Sequence, residues 1–292
     1  MHRIIYDCDN TMGLCGKDVD DGLTLLYLLG CEDVILEGVT LTHGNSSTKE
    51  VYDNTVRMFN TLGIKNVPVC KGNDTVCDKV SDAAIYLANM ARKNKGEITL
   101  LATGSMTNLY EAYLYDNEFY KNLKNIVIMG GVIEPLIISG VKIDELNLSC
   151  DYNASFSLLT SNADITILTG NTCLQALFGE EEIERLINIK GNKVIDFINE
   201  NIKGWYELIY KSFGFKGFCN WDCAAALYIT NPELYETKTF DIYPQLEELK
   251  NGFINIKSDE DKGYSVKIPL KIKDLKMFND ILIKSWCNIK NI

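Results

Sequence analysis

Histidine is almost missing from this chain of 292 residues: His2 and His43 are the only two. Most imidazole-based metal sites and Ser-His-Asp triads therefore lack their parts. Positive charge is also scarce. Lys and Arg number 29 against 40 Asp and Glu, a formal net charge of −11 with no dense basic cluster, which argues against nucleic acid as a partner. No apolar run approaches the roughly 18 to 20 residues of a membrane helix, and the longest, such as Gly22 to Cys31, stop near ten, so no membrane partner is expected. The opening MHRIIYDCDN carries Asp7 and Asp9 where a signal peptide needs an apolar stretch, and a cytoplasmic location is expected. None of the ten cysteines forms a CxxC pair, a pattern of reduced thiols and not of a disulfide frame or zinc site. With five Pro and no linker, low-complexity tract or internal repeat, residues 1–292 read as one domain.

What is present is an ordinary globular balance, 46% hydrophobic and 24% charged. Short β-branched runs alternate with longer amphipathic ones, the pattern of repeated βα units. Strands are expected near Arg3 to Tyr6, Val34 to Thr42, Val67 to Val69, Ile98 to Ala102, Asn125 to Met129 and Asp164 to Leu168. Helices are expected at Asp20 to Gly30, Lys49 to Leu62, Ser81 to Lys93, Thr107 to Asp116 and Cys150 to Ser161, with another over Cys223 to Ile229. The fold class is α/β: a largely parallel, Rossmann-like central sheet covered by helices on both faces. Leu186 to Phe218 reads as aromatic-rich helices. Phe240 to Ile272 reads as an antiparallel meander turning at Asn251-Gly252, and both regions are taken as additions packed on the sheet.

Ligands of open parallel sheets bind beyond the carboxyl ends of the strands. Here those ends are rich in oxygen donors: Asp7, Asp9 and Asn10, then Asp18, Asp20 and Asp21; Thr42 to Asn45; Thr103 to Ser105; and Trp221-Asp222 opening a late helix. An Asp at a helix start is commonly a cap, and that reading suits Asp20 or Asp222 taken singly. Asp7 and Asp9 stand two apart at the end of a buried strand, where repulsion is costly without a cation or proton. Lys17 is the only base in the segment. An all-oxygen cluster favours a hard divalent ion, calcium or magnesium.

The stretch IIYDCDNTMGLCGKDVDDGLTLLYLLG resembles the N-terminal signature of the inosine-uridine nucleoside hydrolases. The resemblance continues through THGN (Thr42 to Asn45), LLATGSMTN (Leu100 to Asn108), IVIMGG (Ile126 to Gly131), DELNLSCD (Asp144 to Asp151) and WDCAAALY (Trp221 to Tyr228). It implies hydrolysis of the N-glycosidic bond of ribonucleosides with one Ca2+, and assembly as a dimer or tetramer. Carried over by position, the calcium ligands are Asp9, Asp21, the Thr103 carbonyl and Asp222. Asp9 is also the general base, Asp20, Asn45, Glu145 and Asn147 hold the sugar hydroxyls, and Asp7 supports the ligands from behind. A site crowded with carboxylates suits the positive charge that develops on the ribose ring.

The chain departs from the family pattern in places. Ten residues separate Asp9 from Asp20, more than is usual, and Asp18 competes for the role given to Asp20. The segment between Gly72 and Ser81 lacks a His-Gly flap, and Glu134 to Val141 lacks the Asn expected after Met-Gly-Gly, where Glu134 could substitute. Trp221 stands where several members carry a His that protonates the leaving base, which resembles the purine-preferring branch. Core packing is the plainer reading of Trp221, as it is of Trp205, Tyr206 and Tyr210, which could otherwise finish the base pocket. Two other functions fit part of the pattern. IIYDCDNT also suits a haloacid dehalogenase-like, magnesium-dependent phosphatase with Asp7 as nucleophile, and a calcium-dependent nucleoside-binding protein without turnover would use the same cluster.

Overall fold

The computed structural model describes residues 1–77, 79–256 and 263–289. The first half is a run of βα units: β1 (His2–Cys8), α1 (Asp20–Gly30), β2 (Val34–Leu41), α2 (Thr48–Leu62), β3 (Val69–Lys71), α3 (Asp82–Lys93), β4 (Ile98–Ala102), α4 (Thr107–Tyr115), the single turn α5 (Phe119–Asn122) and β5 (Asn125–Met129). A small hairpin follows, β6 (Ile137–Ile138) and β7 (Val141–Lys142), then α6 (Tyr152–Leu159), β8 (Ile165–Leu168), α7 (Gly170–Cys173) and β9 (Leu177–Gly179). The chain closes with α8 (Glu180–Asn188), α9 (Lys193–Phe213), β10 (Gly217–Cys219), α10 (Trp221–Thr230), β11 (Tyr235–Ile242), α11 (Leu246–Leu249), β12 (Tyr264–Ile272) and α12 (Leu275–Asn288).

Eight strands form one sheet in the order β11-β12-β8-β5-β4-β1-β2-β3, parallel except for the β11–β12 pair. Both faces are covered, as near-continuous apolar strands require. Ile4, Tyr6, Leu101 and Val127 belong to the core on one side, Ile5, Leu100, Ile126 and Ile128 to the core on the other. Chain order reverses at β1, whose neighbours are β2 and β4, and a crevice opens beyond the carboxyl ends of these strands. No helix among the described residues is long and apolar enough to cross a membrane.

Three sequence expectations change. The Phe240 to Ile272 meander is the β11–β12 hairpin, which extends the main sheet instead of lying on it; Asn251-Gly252 is a turn after α11 and not the hairpin's apex. Leu186 to Phe218 is not all helix, because Gly217–Cys219 pairs antiparallel with Leu177–Gly179. The late helix begins at Trp221, so Trp221 and Asp222 form its first turn.

Candidate active site

Asp9 follows β1 and is wholly buried. The loop after β2 closes over it. Asn45 donates its backbone N–H to Asp9 Oδ2, and a Cβ on Gly44 would lie 2.2 Å from that oxygen, so only glycine permits the approach. Asp20 and Asp21 open α1, and Asp222 sits in the first turn of α10, where its backbone N–H donates to Asp20 Oδ2 at 3.2 Å. Two helix N-termini thus meet with carboxylates between them, as the helix dipole favours. Asp18 is brought in by the long loop, held by Thr11 Oγ1 at 3.1 Å, and one oxygen each of Asp18, Asp20 and Asp21 lies within 4.8 Å of the others. The Asp9 and Asp21 carboxylates lie within hydrogen-bonding reach of each other.

Each carboxyl is pushed above its ordinary range by burial, and Asp9, Asp20, Asp21 and Asp222 are pushed further by neighbouring carboxylates, whereas Thr11, Asn45 and Lys17 hold Asp18 back. Asp9 rises to about 8, with Asp18 the main repelling charge. Asp18 rises to about 6, and Asp20, Asp21 and Asp222 rise well above the usual value, raised further by one another. Lys17 does not neutralise them through an ion pair; its ammonium donates to the Asn45 carbonyl. Asp9 Oδ1 and Asp21 Oδ2 are buried and accept from no N–H or hydroxyl donor, which is costly in a site without a cation or a proton shared between them. An oxygen-only donor set of this kind could hold a hard divalent ion.

A cavity of about 290 Å³ opens beside the cluster. Asp18, Asp20, Asn45, Thr103, Glu145, Asn147 and Asp222 stand at its polar end, and Trp205, Ile209, Phe213 and Trp221 form an aromatic-rich wall. Residues 4–280 match the model of a family described as inosine-uridine preferring nucleoside hydrolase. The chain belongs to that family. It is a nucleosidase, hydrolysing the N-glycosidic bond of ribonucleosides. It is 27% identical to uridine nucleosidase 1 of Arabidopsis thaliana over 81% of this chain and 76% of that one. It is 24% identical to the pyrimidine-specific ribonucleoside hydrolase RihA of Shewanella oneidensis over 80% of each. In fold it matches a purine-preferring ribonucleoside hydrolase from Gardnerella vaginalis with a TM-score of 0.85, at 20% identity over 99% of both chains.

In this nucleoside hydrolase Asn147 donates its amide to the Thr103 carbonyl at 2.8 Å and the Met129 carbonyl at 3.0 Å, joining the ends of β4 and β5. Glu145 lines the cavity, but its two oxygens already accept backbone N–H bonds from Gly131, Leu148 and Ser149. These bonds fix the carboxylate in place at the edge of the cavity. Tyr206 and Tyr210 do not line the cavity, Tyr210 being 49% exposed. The face of α9 turned to the cavity is Trp205, Ile209 and Phe213, a stripe at i, i+4 and i+8 that the aromatic count concealed. Glu134 does not line it either; the hairpin region contributes Leu136, Ile138 and Ile143 instead.

Asp7 lies apart from the cluster. It is fully buried, accepts Thr40 Oγ1 at 2.6 Å and Asn108 Nδ2 at 2.8 Å, and has no face on the cavity. The phosphatase reading falls with membership of the nucleoside hydrolase family. The binding-only reading falls with membership of a hydrolase family.

Proposed function

We propose that this enzyme cleaves purine ribonucleosides, such as inosine, to free base and ribose with Ca2+ as cofactor. The observation that carries the cation is the pair of buried oxygens on Asp9 and Asp21, without an N–H or hydroxyl donor, inside an acidic cluster with no Lys or Arg among the cavity-lining residues. Asp9, Asp21, Asp222 and the Thr103 carbonyl would hold the ion. Asp18 or Asp20, with Asn45, Glu145 and Asn147, would hold the sugar hydroxyls, since all five line the cavity. When bound, calcium supplies the charge that acidifies a water and grips a vicinal diol.

Asp9 accepts the proton of the attacking water, and the surrounding carboxylates favour the positive charge that grows on the ribose as the glycosidic bond breaks. The base leaves against Trp221, Trp205 and Phe213, whose rings can stack on a fused bicycle. Neither His2 nor His43 lines the cavity, so no imidazole stands by to protonate the departing base. Stacking in an apolar wall is the support for the purine preference.

The test is release of free base from inosine, adenosine and uridine by protein dialysed against EDTA and then given calcium. Activity that vanishes and returns, with a higher kcat/KM for the purines, is the expected result. Unchanged turnover in EDTA overturns the cofactor assignment, and faster cleavage of uridine overturns the base preference.

A further inference from the structure

The central strand β1 is buried on both faces, so apolar side chains are expected along it, and Ile4 and Ile5 comply. Tyr6 does not. A phenolic hydroxyl carried into the middle of a core is destabilising unless it is hydrogen-bonded. Tyr6 is fully buried, and its hydroxyl donates to Asp21 Oδ1 at 3.1 Å while standing 2.9 Å from Thr103 Oγ1. Thr103 Oγ1 donates to the same Asp21 oxygen at 2.9 Å. The three oxygens form a triangle containing two hydroxyl hydrogens. Directing both at Oδ1 satisfies the carboxylate on that side and leaves Oδ2 as the oxygen without an N–H or hydroxyl donor.

We propose that Tyr6 is a positioning residue for the cation site: with Thr103 it locks the Asp21 carboxylate so that Oδ2 is presented to the ion. The inference rests on the calcium reading above. Two donors on one oxygen fix the side-chain torsion and so the direction in which the other oxygen points. The triangle also ties three elements at one point, the middle of β1, the residue after β4 and the first turn of α1. A Phe or Leu at position 6 would fill the same layer without this hold.

The test is calcium binding itself, measured by titration calorimetry on the full chain with calcium alone, for the wild type, Tyr6→Phe, Thr103→Val and the double variant. Tyr6→Phe should weaken the calcium Kd by about tenfold, within the range typical of residues that orient metal ligands. The double variant should lose less than the product of the single losses, because both hydroxyls act on one oxygen. A tyrosine that merely fills the core predicts a lower Tm in chelator with an unchanged Kd; that outcome overturns the proposal. If Tyr6→Phe fails to melt cooperatively, a greater loss of affinity in Thr103→Val than in Thr103→Ser supports the proposal, and equal affinities overturn it. A wild type that binds no calcium removes the metal reading and this inference together, whereas tight binding unaffected by Tyr6→Phe removes only the inference.

Discussion

The backbone N–H of Asp222 donates to the carboxylate of Asp20 across 3.2 Å, joining the first turn of α10 to the first turn of α1 over a separation of 202 residues. Through this contact the two acidic helix starts become one site, with Asp9 and Asp21 inside it.

That crowding makes the metal-free protein sensitive to alkali. A buried carboxyl raised above its unfolded value of about 3.9 binds its proton more tightly when folded. Its contribution to stability is full below that value and is lost as pH rises through the folded one. Asp9, raised to about 8, and Asp20, Asp21 and Asp222, also raised, all act in this direction. The Tm of protein stripped with EDTA should therefore fall between about pH 5 and pH 8, and calcium should raise it more at the upper end. Thermal melts that are flat or rising over this window would count against the scheme.

Asp9→Asn should lower kcat by about 10²- to 10⁴-fold, the usual cost of losing a general base. A ribose analogue should still bind. Parallel turnover and calorimetric measurements separate the two effects, and loss of analogue binding in step with activity would assign Asp9 to structure instead.

Trp221→Ala should slow inosine cleavage more than cleavage of a nitrophenyl riboside, whose leaving group needs no help from stacking. Equal losses in kcat/KM on the two substrates would remove Trp221 from the departure of the base.

On α9, Trp205→Ala should raise the KM for inosine by about threefold to tenfold, as expected for an aromatic contact. Tyr206→Ala and Tyr210→Ala, which lie off the cavity, should stay within about twofold. Steady-state kinetics on the three variants decide which face of the helix meets substrate.

Asp7→Ala should cost about 1–3 kcal/mol of stability, because it strands the buried donors of Thr40 and Asn108. A denaturant melt measures this loss. The wild type should release no phosphate from a generic monoester; release would revive Asp7 as a nucleophile.

Part of the site was legible because it is local. Alternating apolar runs announce a parallel sheet, and the run Asp7, Asp9, Asp20 and Asp21 falls where such sheets bind ligands, since the residues after a strand must lie at its carboxyl end. The oxygen-only chemistry follows from residue type alone. Two histidines and no basic residue beyond Lys17 in that segment left a hard ion as the natural counter-charge.

Side-chain direction and long-range contact were not legible. Whether α9 turns Trp205 or Tyr206 to the cavity depends on a rotation of about 100° per residue that is fixed by packing against the rest of the fold. That Glu145 also holds three backbone N–H groups, and that the Tyr6 hydroxyl meets Asp21, show only in the folded chain. The sequence by itself determined the fold class, the family and the acidic character of the site, because periodicity and residue chemistry are properties of short segments. Only the tertiary structure decided which of those acids stand together and which carboxylate oxygen is left without a donor, because hydrogen bonds between distant segments exist only once the layers have packed.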